Sequence, residues 1–125
     1  MQYLLDTHVI LWWLEDPKKI SAKARNIIAD KKNTIFVSSV SIWEMAIKKD
    51  LGRLNIPTNI LSVLKSDNMQ ILPLNAEDSL GIMDLSKIHN DPFDRILVSQ
   101  AKINDLIFIT KDQKILEYPV VSIKA

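Results

Sequence analysis

The chain predicts an α/β fold in a single domain, residues 1–125, with a mostly parallel sheet covered by helices on both faces. Two patterns carry this reading. Five apolar, partly β-branched runs, each too short for a helix, alternate with stretches whose apolar residues recur at helical spacing. That alternation builds parallel strands joined by helical crossovers. The third observation is size: 125 residues, 47% hydrophobic and 25% charged, suit one globular domain.

The first run, Tyr3 to Leu5, leads through Asp6 into a helical stretch from His8 to Leu14. Ser21 is placed to cap a helix over Ala22 to Lys32, where Ala24, Ile27 and Ile28 share a face. Ile35 to Val37 form the second run. Ser39 or Ser41 opens the next helix, which reaches about Asp50, with Gly52 suited to its C-terminal stop. A shorter helix over Thr58 to Lys65 precedes the third run, Gln70 to Leu72, and another covers Ala76 to Leu85. Asp91-Pro92 starts a strong helix to about Ile103, because aspartate caps well and proline is preorganised for the first helical position. The last runs are Leu106 to Ile109 and Val120 to Ile123, with a short helix containing Ile115 and Leu116 between them.

Several function classes fall away on composition. Without cysteine there are no disulfides, thiolate metal sites or cysteine nucleophiles. Two glycines, Gly52 and Gly81, cannot build a P-loop or a dinucleotide fingerprint. The net charge of +1 gives no strong overall pull on a polyanion, so nucleic-acid contact must rest on local patches. No apolar stretch approaches the roughly 18 residues of a membrane span, and a strand-like run beginning near Met1 leaves no room for a leader. The expectation is a cytoplasmic protein without a membrane segment.

Asp6, Glu44, Asp94 and Asp112 each sit where an apolar run ends or within the first turn of the helix that follows. In an open parallel sheet these positions gather along one edge, where such folds bind ligands. Each has an ordinary alternative: Asp6 and Asp112 as helix caps, Glu44 as the acid of a Ser41-Ile42-Trp43-Glu44 capping box, Asp94 in the first turn after an Asp91 cap. Their conjunction favours a site, since serine, threonine or asparagine would cap equally well. Two unit charges about 4 Å apart repel by roughly 4 kcal/mol at an effective dielectric near 20, so the cluster calls for a cation. For an all-oxygen site that cation is Mg²⁺ or Mn²⁺. A carboxylate-held divalent ion suits phosphodiester hydrolysis by activated water.

Four segments carry a family resemblance: Leu4-Leu5-Asp6-Thr7-His8; Ser41-Ile42-Trp43-Glu44-Met45-Ala46-Ile47-Lys48 with Leu51-Gly52-Arg53-Leu54; His89-Asn90-Asp91-Pro92-Phe93-Asp94-Arg95; and Ile109-Thr110-Lys111-Asp112. In this order they resemble the PIN-domain ribonucleases, and more narrowly the VapC-type toxins of bacterial toxin–antitoxin pairs. The resemblance spans nearly the whole chain. It implies an α/β/α sandwich and a Mg²⁺- or Mn²⁺-dependent endoribonuclease whose catalytic and metal-binding acids are Asp6, Glu44, Asp94 and Asp112. It further implies a supporting hydroxyl at Thr110, a homodimer, and inhibition by a cognate antitoxin.

Around these acids, Lys48, Arg95 and Lys111 are candidate RNA contacts, with Arg95 alternatively pairing with Asp91 or Glu44. Trp12, Trp13 and Trp43 invite base stacking, yet core or interface packing is the commoner use of tryptophan; of the adjacent pair, one is expected in the core and the other exposed. His8 and His89 belong to no spaced ligand pair and are read as structural. The competing function is a non-catalytic acidic-pocket module. A receiver-like signalling domain would want an acidic pair after the first strand, where Thr7 follows Asp6, and an aspartate after the third, where Pro73 and Leu74 stand. An inactive relative that only binds RNA or a partner is the other alternative.

Overall fold

The computed structural model describes Met1–Ala125. In chain order the elements are β1 (Gln2–Leu5), α1 (Thr7–Glu15), a 3₁₀ turn (Pro17–Lys19), α2 (Ala22–Ala29), β2 (Thr34–Ser38), α3 (Ser39–Asp50), α4 (Ile60–Ser66) and β3 (Met69–Leu72). They continue as α5 (Ala76–Leu80), a second 3₁₀ turn (Gly81–Asp84), α6 (Pro92–Ile103), β4 (Ile107–Thr110), α7 (Gln113–Leu116) and β5 (Ser122–Lys124). The five strands form one sheet in the order β3-β2-β1-β4-β5, and every pair is parallel.

Strand alternation divides the core into two layers. Tyr3 and Leu5 of β1, with Ile35, Val37 and Ile109, pack against α1, α2, α4 and Met45 of α3. Leu4 and Phe108 point the other way, into a layer with Leu97, Val98 and Ala101 of α6 and Ile115 of α7. Both faces of β1 and β4 are therefore buried, which is why their sequences read as continuous apolar runs rather than alternating ones. The result is the α/β/α sandwich expected.

From β1 the chain builds outward through β2 to β3, then returns to place β4 on the other side of β1. The order reverses between β1 and β4, and an open α/β sheet has its binding crevice at the strand C-termini of such a switch point. A receiver domain would have the order 2-1-3-4-5 instead.

Several boundaries differ from the sequence reading, each for a local reason. Helix α2 ends at Ala29 rather than Lys32 because the Asp30 side chain accepts from the Lys32 amide and turns the chain. The stretch from Ala76 to Leu85 divides into α5 and a 3₁₀ turn at Gly81. Strand β5 begins at Ser122, two residues late, after a tight turn in which the Val120 amide donates to the Tyr118 carbonyl. Gly52 has φ +71°, the left-handed conformation that lets the chain leave α3 at low cost. Trp12 and Trp13 are both half-buried against the first core layer, so the tryptophan left exposed is Trp43, at 58%.

Candidate active site

Asp6 continues the β1–β4 ladder, its amide donating to the Ile109 carbonyl at 3.0 Å. It stands at the N-cap position of α1, but its carboxylate makes no capping bond. Instead Oδ2 accepts from the Thr110 hydroxyl at 2.7 Å, while Oδ1 is buried without a partner. Thr110 also accepts at 3.0 Å from the Asp112 amide, so one hydroxyl at the end of β4 ties two of the acids together. Burial pushes the Asp6 carboxyl above the ordinary range despite the Thr110 bond.

Glu44 departs from the capping-box reading. Helix α3 starts earlier, capped by Ser38 Oγ on the Val40 amide at 3.0 Å, which moves Glu44 into the second turn. There it is 5% exposed. Lys48, one turn on, donates to Oε2 at 2.9 Å, and Oε1 is left buried and unpartnered. The neighbouring hydroxyls Thr7 and Ser41 satisfy each other at 2.8 Å and lock α1 to α3 behind the site.

At the start of α6 the division of labour follows the sequence. Asp91 caps the helix, accepting from the Phe93 amide at 2.8 Å, and leaves Asp94 free. Burial, followed by the charges of Asp6 and Asp91, pushes the Asp94 carboxyl up to about 7, with Glu44 adding to the rise. That shift is the electrostatic signature of acids from the end of β1, from α3 and from the start of α6 meeting at one point.

Asp112 serves twice. Its Oδ1 caps α7 by accepting from the Lys114 amide at 2.8 Å, and its Oδ2 lies 2.9 Å from His89 Nε2. Burial raises its pKa, but the His89 hydrogen bond and the backbone amides of α7 outweigh that and leave it below the ordinary range.

His89 was read as structural, and the structure brings it into the site. Its Nε2 is 3.1 Å from Asp94 and 2.9 Å from Asp112. The Asp91 amide donates to Nδ1 at 3.0 Å, which requires that nitrogen to be unprotonated and puts the proton on Nε2, facing both carboxylates. The His89 amide donates to the Tyr118 hydroxyl at 2.9 Å and fixes the loop. The sequence offered one clue, a histidine two residues before the Asp91 cap.

The basic residues separate. Lys48 is committed to Glu44. Arg95 pairs with neither Asp91 nor Glu44; its guanidinium donates to the carbonyls of Ile82 (2.9 Å) and Leu85 (3.4 Å) and straps the second 3₁₀ turn to α6. Neither Arg95 nor Lys111 has a carboxylate partner, and of the two only Lys111 is exposed.

The donor set suits a hard divalent cation. Buried Asp6 Oδ1 and Glu44 Oε1 lack hydrogen-bond partners, and buried orphan oxygens are costly unless something satisfies them. Ligand atoms of His89, Asp94 and Asp112 lie within 4.8 Å of one another. Carboxylate oxygens are the donors that Mg²⁺ and Mn²⁺ take.

The chain is 25% identical over 115 residues to ribonuclease VapC22 of Mycobacterium tuberculosis, covering 90% of this chain and 88% of that one. Among solved structures it superposes on VapBC2 of Rickettsia felis bound to a promoter DNA fragment, with a TM-score of 0.75, 17% identity, and 99% and 98% of the two chains covered. VapBC-1 of nontypeable Haemophilus influenzae gives a TM-score of 0.69 at 21% identity, with 99% and 98% covered. The family model for the PIN domain matches residues 3–121, so almost the entire fold, including every acid at the switch point, falls within it: this chain belongs to the PIN domain family.

Proposed function

We propose that this protein is a Mg²⁺- or Mn²⁺-dependent endoribonuclease and the toxin of a toxin–antitoxin pair. The observation that carries the reading is the convergence of Asp6, Glu44, Asp94 and Asp112 at the β1/β4 switch point with two buried carboxylate oxygens unpartnered. Membership of the PIN family and similarity to a VapC ribonuclease support it.

Asp6, Glu44, Asp94 and Asp112 would hold the cation, which when bound polarises a phosphodiester and activates water for in-line attack. The protein's own contribution is positional. Thr110 aims Asp6 by holding Oδ2, which leaves Oδ1 toward the site. Lys48 does the same for Glu44, and His89 spaces Asp94 from Asp112. Such fixed donors spare the reaction the cost of reorganising them. Lys111, free of acidic partners, is placed to receive substrate phosphate.

A cognate antitoxin is the expected partner, since solved structures of this fold include VapBC complexes. A homodimer and a cytoplasmic setting complete the reading. No helix of the chain is long and apolar enough to cross a membrane.

The deciding experiment is to induce the protein and its Asp6→Asn variant separately in a bacterial host without the partner, and to map new RNA 5′ ends. Growth arrest and new ends with the wild type alone are expected. Identical end maps for the two would reject the nuclease assignment. In vitro, chelation should stop cleavage and Mg²⁺ or Mn²⁺ should restore it.

A further inference from the structure

Beside the carboxylates lies a cleft of about 270 Å³ lined by Asp6, His8, Trp12, Lys111 and Asp112. The two acids belong to the site already described. Lys111 is the phosphate contact already proposed there; His8 and Trp12 are new to it, and the three together offer a nucleotide what it would need.

Trp12 lies on α1, one turn beyond His8, and the two rings sit 5.9 Å apart, tilted by 40°. Trp12 is half-buried, anchored in the first core layer while still lining the cleft; His8 is exposed. The indole is thus a platform held by the fold, with an imidazole continuing it. Lys111 approaches from the end of β4, its ammonium seated over the Trp12 ring at 5.2 Å from the ring centre and 3.0 Å from the Lys19 carbonyl that accepts from it; a base stacking on that face takes the place of the ammonium and turns it toward phosphate. No carboxylate is within ion-pair distance of that ammonium, although Asp112 is its chain neighbour. One of its three donor protons is used by Lys19, and its charge is not neutralised.

We infer that this cleft is a nucleotide subsite, in which one unpaired base of an RNA strand stacks on Trp12 and His8 while Lys111 takes an adjoining phosphate. The inference rests on the nuclease reading for its orientation, because Asp6 and Asp112 form the wall shared with the catalytic carboxylates. Aromatic and histidine rings stack splayed-out bases of single-stranded RNA with little sequence preference. The cleft's volume of about 270 Å³ is on the scale of one nucleoside. Trp12 and Lys111 therefore select single-stranded RNA and set which bond reaches the acids. The sequence favoured packing as the role of Trp12; the geometry adds a ring that lines a cleft and is covered there by a displaceable ammonium.

The test measures binding without cleavage. In an Asp6→Asn background with Mg²⁺ present, anisotropy of labelled, sequence-randomised octaribonucleotides is compared with pools carrying an abasic site at each position in turn. Trp12→Leu is expected to weaken binding about tenfold, the scale of one lost base stack. Trp12→Phe should retain most of the affinity. The abasic penalty should be large at one position for the Trp12 protein and vanish in Trp12→Leu. Lys111→Ala, a change at an exposed side chain, should lower the salt dependence by about one phosphate contact. Penalties for Trp12→Leu and for the abasic site that simply add, or undiminished binding by Trp12→Leu with native melting, would overturn the subsite. Mg²⁺-dependent cleavage by the protein with Asp6 intact is scored separately, so the nuclease reading can fail while stacking stands, or the reverse.

Discussion

The acids at this site share out helix capping and free charge between them, and single substitutions can separate the two roles. Asp6→Asn, Glu44→Gln and Asp94→Asn should each abolish cleavage with native circular dichroism retained, whereas Asp91→Asn should retain most of the activity, because asparagine caps nearly as well. Asp94 has a further consequence. Its carboxyl is held protonated to about pH 7 in the folded, metal-free protein, against 3.8 as its ordinary value. The folded state therefore binds more protons through that window, and stability falls as pH rises across it. Solvent screening of this incompletely buried group keeps the effect below the roughly 4 kcal/mol that the whole shift would carry above pH 7. Asp94→Asn removes it, so this inactive variant should melt higher than the wild type at pH 8 without metal, and thermal melts at pH 5 and 8 would show it. Asp6, also raised, acts in the same direction. Asp112, lowered, acts in the opposite one: its contribution is present above the unfolded value and lost as pH falls.

His89 gives a second prediction at this scale. Its Nε2–H is shared by two acids and its Nδ1 satisfies the Asp91 amide. His89→Ala would leave that donor and both carboxylates short of a partner, costing about 1–3 kcal/mol of metal-free stability. Divalent-ion affinity should fall roughly 10- to 100-fold, as when groups that orient metal ligands are removed. Calorimetric titration with Mn²⁺ and urea melts would measure the two separately; unchanged affinity would remove His89 from the site.

At the level of elements, the position of Asp94 depends on how α6 is pinned. Asp78 is fully buried in α5, in a capping box with Asn75, and accepts from Asn104 Nδ2 at 3.2 Å and Gln100 Nε2 at 3.4 Å. Gln100 in turn accepts from the Ser38 hydroxyl at the end of β2. One polar network thus joins the sheet, α3, α5 and α6 behind the acids. Gly81 lets the second 3₁₀ turn lie directly on α6: a Cβ there would meet Ser99 Oγ and, at 2.7 Å, Ile103 Cδ1. Gly81→Ala should destabilise by about 1–3 kcal/mol through overpacking. A shift of the urea midpoint with unchanged slope is expected; no shift would mean that the turn yields freely.

Over the whole molecule, the site is a concentration of partly buried acids that the proposed cation would relieve. Metal-free protein should lose melting temperature between pH 5 and pH 8, and Mg²⁺ or Mn²⁺ should restore most of it at the upper end, because a ligand that binds only the native state stabilises it in proportion to its saturation. Differential scanning at both pH values with and without the ion would test this. A pH-independent midpoint would show that the acids are farther apart in solution, or better hydrated, than here.

The alternation of apolar runs and helical stretches determined the fold class, since each strand announced itself by a short apolar run, most of them β-branched in part, and each crossover by caps such as Ser21, Asp91 and Gly52. The placement of the four acids was legible for the same reason: strand ends and helix starts are local features, and parallel topology puts them on one edge. What remained hidden depended on contacts between distant segments. No local rule aims the His89 ring at Asp94 and Asp112, turns Arg95 toward Ile82 and Leu85, frees Lys111 from acidic partners, or sets Trp12 beneath the Lys111 ammonium in a cleft. Local propensity and periodicity are carried by neighbouring residues, and so the sequence determined the elements and their order. Side-chain direction, burial and charge balance are sums over residues up to 104 positions apart, as in the Thr110–Asp6 bond, and only the tertiary structure decided them.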